Sequence, residues 1–163
     1  MTMLTLTQHL LSLPTKPTYE AATQHAFLAQ ARDGTLPPSR LALWLSQDRI
    51  YAAHGYPKFI GSLISRIPFN PSDEIDGPEE KKNERILKIL AFSLENVVRE
   101  VSFFRDTAKE WNLQLDGWLE RKGTRDYTAE MARVSQSLED GLVFLWAMER
   151  ASIHVISTAT III

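Results

Sequence analysis

Between residues 41 and 55 the apolar positions Leu41, Trp44, Leu45, Tyr51, Ala52 and Gly55 recur at intervals of three and four, the spacing that gathers side chains on one face of a helix. Asp48 falls inside that stripe, where a Leu is expected. Burying a lone carboxylate costs on the order of several kcal/mol, so Asp48 must be paired, protonated or turned toward a cavity that holds a polar ligand. One reading is structural, an acid satisfied by a neighbouring Arg or a buried water. The other notes Tyr51 on the same face: an acid and a phenol side by side on an apolar wall make a small-molecule site.

The same periodicity predicts helices along almost the whole chain. Residues 3–13 form a short helix stopped by Pro14 and Pro17, and Thr18 caps a second helix running to about Arg32, closed by Gly34. Pro37 and Pro38 suit the first turn of the next helix, which continues past Tyr51 toward Arg66 and is kinked or divided by Pro57. Residues 68–78, with Asn70, Pro71, Asp73, Asp76 and Gly77, have loop composition.

A long helix is expected from about Glu79 to Trp111, with Leu87, Leu90, Leu94, Val97, Val101, Phe104, Ala108 and Trp111 on one face. Phe92 and Phe103 lie across from them with Asn96 and Glu100, which places this helix at the centre of a bundle; Asn96 and Glu100 face either solvent or an interior pocket. After a turn region at 113–123, Thr124 caps another helical stretch carrying Tyr127, Met131, Val134 and Leu138 on one face, then Leu142, Leu145 and Glu149. Glu149 occupies a core-facing position, as Asp48 does. Either the two carboxylates meet in one bundle pocket as acid and base, or Glu149 is exposed at an irregular helix end near Ala151. Strand-like alternation and Asn-Gly hairpin signals are missing, so the fold class is all-α.

Composition narrows the chemistry. At 163 residues, 44% hydrophobic and 23% charged, the chain reads as one globular domain. A formal charge of -2 leaves no basic footprint, so neither nucleic acid nor an anionic membrane is an expected partner. Without cysteine there is no disulfide, thiolate nucleophile or Cys-ligated metal. No signal-like or membrane-spanning run is present, which makes a cytoplasmic protein the expectation. His25 shares a helix face with Ala21, Leu28 and Ala29 and reads as a satisfied core or boundary residue. Neither it nor His9, His54 or His154 has ligand-like spacing, so no metal and no cofactor is expected.

The run Phe27-Leu28, then Asp33-Gly34-Thr35-Leu36-Pro37, then Trp44-Leu45-Ser46-Gln47-Asp48-Arg49-Ile50-Tyr51 resembles the TenA or thiaminase II family. The similarity extends more loosely through Phe103-Phe104, Thr124-Arg125-Asp126-Tyr127 and residues 138–149. It implies a multi-helical bundle of the heme-oxygenase-like type and a pocket for aminopyrimidines related to thiamin. By this resemblance Asp48 binds the aminopyrimidine ring, Tyr51 positions it, Tyr127 lines the same pocket, and Gln47 and Trp44 belong to the substrate-binding wall.

The implied chemistry is hydrolysis at the pyrimidine methylene, giving hydroxymethyl-pyrimidine. Many members use a cysteine on the helix that here reads Phe144-Leu145-Trp146-Ala147-Met148-Glu149. In its absence Glu149 is the local candidate for the catalytic role, beside Asp48. Residues 151–163 are β-branched and uncapped, unlike an amphipathic bundle helix and unlike the family's continuation. They read as an atypical tail, with one or two closing helices missing and homo-oligomerisation covering the exposed apolar surface. The alternative to a thiamin-salvage hydrolase is a catalytically incomplete relative that binds a small heteroaromatic ligand or serves as a helical interaction module.

Overall fold

A computed structural model describes residues 4–159, and every regular element among them is helical. By compactness the chain divides into two units, residues 37–149 and the residues flanking them on both sides.

In the flanking unit, α1 (Leu6–Ser12) opens with a capping box, Thr5 and Gln8 each accepting the other's backbone N–H. Thr18 caps α2 (Tyr19–Thr23) by accepting the Ala21 N–H at 3.2 Å. The single helix expected to run to Arg32 is broken at Gln24, and α3 (Ala26–Arg32) starts afresh. The cause is His25, whose backbone is extended and whose Nδ1 accepts the Phe27 N–H at 3.1 Å, so this histidine is a helix cap. Gly34, at φ 68°, closes α3 in the left-handed region.

Residues 37–149 hold all the buried hydrophobic side chains of the main core. Here α4 (Pro38–Ile50) starts on Pro38, whose missing N–H is harmless in a first turn. It passes into a π-helical turn, Tyr51–Gly55, and then into α5 (Tyr56–Ile64). Pro57 explains the turn. Its ring collides with the carbonyl four residues back, and the strain is relieved by widening the preceding turn, so that the Tyr56 N–H donates to the Tyr51 carbonyl five residues away.

Next comes α6 (Pro78–Glu110), whose Leu90, Ser93, Val97 and Phe104 are buried. The expected second covered face is not found among the described residues: Phe92 is 60% and Phe103 51% exposed. Thr124 does not cap α7 (Lys122–Val134), which begins two residues earlier. The last helix, α8 (Leu138–Ala159), overturns the expectation of a helix end near Ala151 and of a tail unlike a helix; residues 160–163 lie outside the described residues. β-Branched residues cost only tenths of a kcal/mol each, roughly, in a helix already nucleated by preceding turns. The helices meet through Leu45, Phe59, Ile60, Leu63, Met131 and Leu145, all buried. Gly141 lets α8 approach α5, since a Cβ there would lie 2.2 Å from Leu63 Cδ2.

Candidate functional site

The π turn decides which side chains meet. In an α-helix residues five apart point well away from each other, whereas a turn closed by a five-residue hydrogen bond brings them back to one side. Tyr51 and Tyr56 are thereby stacked edge to face, their ring centroids 5.8 Å apart. Tyr51 also packs on Tyr127 of α7 at 5.4 Å, Tyr127 on Phe144 of α8 at 5.7 Å, Phe144 on Phe59 at 5.9 Å, and Phe59 on Tyr56 at 6.4 Å. The five rings form a closed circuit joining the π turn, α5, α7 and α8.

Carboxylates from three helices bear on this circuit. Burial pushes the Asp48 carboxyl up to about 7, with a further rise from the negative charge of Glu100. No hydrogen bond or ion pair engages the Asp48 carboxyl among the described residues. Glu149, on an exposed turn of α8, accepts a hydrogen bond from the buried Tyr56 hydroxyl, Oη to Oε1 3.0 Å. Glu100 is raised by burial and then by Glu149, although its residue keeps substantial solvent exposure. Tyr51, Tyr56 and Tyr127 are all held above the ordinary phenol range, first by burial and then by neighbouring phenols or carboxylates. The phenols therefore stay protonated, and that of Tyr56 donates to Glu149. Asp48 changes charge near neutrality.

Of the residues singled out in the sequence, Asp48, Tyr51, Tyr127 and Glu149 are electrostatically coupled here: Tyr127 feels both acids, and Tyr51 feels Tyr127 and Asp48. Tyr127 is 37% exposed and forms the open side of the circuit. Gln47 is engaged elsewhere. Its Nε2 donates to the Leu119 carbonyl at 3.1 Å, and its Oε1 accepts from the Arg121 N–H at 2.7 Å and the Thr124 hydroxyl at 2.9 Å. That amide fixes the loop leading into α7 and its first turn, which also explains why Thr124 is not the cap. Trp44 is 40% exposed.

Tyr56 escaped the sequence reading, which left Glu100 between solvent and an interior pocket. Glu100 stands seven residues after buried Ser93, three after Val97 and four before Phe104, beside the buried face of α6, and its residue remains exposed. That register was legible. Tyr56 was not, because its position depends on the π turn. A separate cleft of about 160 Å³ between α5 and α7, lined by Gly55, Lys58, Phe59, Thr128, Met131 and Ser135 among others, contains none of the three acids. Among the described residues no group of three or more His, Asp or Glu side chains could hold a metal ion, and no helix is long and apolar enough to cross a membrane.

The architecture defines an all-helical bundle protein with a carboxylate and phenol cluster among its helices. The chain is 23% identical over 109 residues to a probable bifunctional TENA-E protein of Glycine max, a distant similarity that covers 67% of this chain and 43% of that protein. It is 30% identical over 147 residues to a probable transcription factor of Fusarium pseudograminearum (strain CS3096), covering 88% of this chain and 28% of that protein. The chain thus spans less than half the length of these curated relatives. No family model matches it.

Proposed function

We propose that this chain binds an aminopyrimidine related to thiamin through Asp48 and acts on it as a hydrolase of the TenA type, giving hydroxymethyl-pyrimidine. The observation that carries this reading is the Asp48 carboxyl, unpartnered beside an aromatic circuit and titrating near 7. Its ionised form can accept hydrogen bonds from an exocyclic amine and a protonated ring nitrogen together, in the bidentate manner that suits a carboxylate. Tyr51 and Tyr127 supply aromatic surface to stack on the pyrimidine ring. Glu149 is the acid available to the pyrimidine's methylene substituent. The similarity to the TENA-E protein supports the same chemistry. A homo-oligomer and a cytoplasmic location fit this reading.

Titration calorimetry with a 4-amino-5-substituted pyrimidine tests it. Asp48→Asn keeps the shape of the side chain but loses its charge and cannot pair with a protonated ring. Binding should weaken by about 1.5 to 3 kcal/mol, the scale of a hydrogen bond to a charged group. Equal isotherms for the two proteins would remove Asp48 from the site.

A further inference from the structure

Glu149 sits on an exposed turn, yet one of its oxygens is tied down. The tie is Tyr56, only 4% exposed, whose ring is wedged between Tyr51 at 5.8 Å and Phe59 at 6.4 Å and cannot swing away. A phenol has one proton to give, and Tyr56 gives it to Glu149 Oε1. The buried Ser93 of α6 bears on the same phenol and partly offsets the rise that burial and Glu149 impose on it. The order Tyr56 to Glu149 is directional. Burial keeps the phenol protonated well above neutral pH, so that order persists where the enzyme would work.

We infer that Tyr56 is a positioning residue for Glu149: by holding Oε1 it leaves Oε2 as the oxygen that exchanges protons at the pyrimidine methylene. This inference rests on the aminopyrimidine reading of the pocket. In the hydrolysis of an aminomethyl-pyrimidine, the water oxygen forms the new C–O bond at the methylene. The C–N bond breaks with its electron pair on nitrogen. The proton lost by water passes to Oε2 and from there to the departing ammonia, so Glu149 ends unchanged. A carboxylate free to rotate would offer either oxygen in several rotamers and would be correctly aimed only part of the time.

Ammonia release from 4-amino-5-aminomethyl-2-methylpyrimidine, measured on the full chain, tests the assignment. Tyr56→Phe is expected to lower kcat about tenfold with KM within about twofold, the pattern of a lost transition-state alignment. In a Glu149→Asp background, where the shortened acid is drawn back from Tyr56, the Tyr56→Phe change should add nothing. An equal effect in both backgrounds, or a rise in KM matching the fall in kcat, would overturn the inference, since lost packing alone behaves that way. Calorimetric binding of the pyrimidine without ammonia release by the unaltered protein would overturn it too, while leaving the Asp48 pocket standing. No binding at all would overturn the pocket reading, and this inference with it.

Discussion

Asp48 titrates near 3.8 in an unperturbed chain and near 7 in the fold, so between those values the folded state holds a proton that the unfolded state releases. The stability that goes with this proton is fully present below about pH 4 and is lost as pH rises through 7. Glu100, also raised, acts in the same sense. Glu149 and the phenols of Tyr51, Tyr56 and Tyr127 face the same cluster, so the acids are best separated by substitution. Asp48→Asn leaves a neutral side chain at every pH. It should melt with the unaltered protein at pH 4 and at a higher temperature at pH 8, where the gain is on the order of 4 kcal/mol if the whole shift is expressed. A Tm difference that does not change with pH would show that Asp48 is not a buried, unpaired acid. The same variant is expected to bind ligand less well, so its stability would rise as its function falls. The acid was legible in the sequence because it interrupts an apolar stripe at helical spacing. Glu100 stands three residues after Val97 and four before Phe104, a register close to the buried face, while its residue stays exposed, so both orientations left open for it meet there.

Helices were legible as elements wherever proline, glycine and capping residues punctuated the pattern, as at Thr18, Gly34, Pro38 and Gly77. The breaks that sequence did not show came from a local cap at His25, from side chains whose partners lie elsewhere in the chain, or from a backbone adjustment. Thr124 has cap chemistry but spends it on Gln47, seventy-seven residues away in sequence. Pro57 announced a disturbance in the helix without saying that a π turn would absorb it and swing Tyr56 toward Tyr51. Contact between α5 and α8 can be tested directly at Gly141. An added methyl would lie 2.2 Å from Leu63 Cδ2, 3.1 Å from Cδ1 and 3.2 Å from Cγ, so the fully buried Leu63 must shift within a packed core to make room. Gly141→Ala should destabilise the protein by about 1 to 3 kcal/mol through overpacking, despite the better helix propensity of alanine. Urea denaturation measures this. An unchanged or raised midpoint would mean that α8 and α5 are less tightly apposed than the glycine requires.

Across the whole molecule, the apolar core and the candidate site occupy the same stretch of chain. Every buried hydrophobic residue of the core cluster, from Ala42 to Met148, lies within residues 37–149. So do Asp48, Tyr51, Tyr56, Ser93, Glu100, Tyr127 and Glu149. The hydrophobic pattern revealed the all-α class, but compactness in space has no signature in periodicity, so the division at 36/37 and 149/150 was not legible from the sequence. Because hydrophobic burial is the main favourable term in folding, a segment that contains every buried member of the core cluster among the described residues should fold without its flanks. A polypeptide of residues 37–149 is therefore expected to be helical by circular dichroism and to melt in one cooperative transition. If the Asp48 reading holds, it should also bind the pyrimidine within about threefold of the full chain, a loss of under 1 kcal/mol. A shapeless melt would show that residues outside 37–149 complete the core. A cooperative melt with binding weakened a hundredfold would show instead that the flanking residues supply part of the site while the bundle folds on its own.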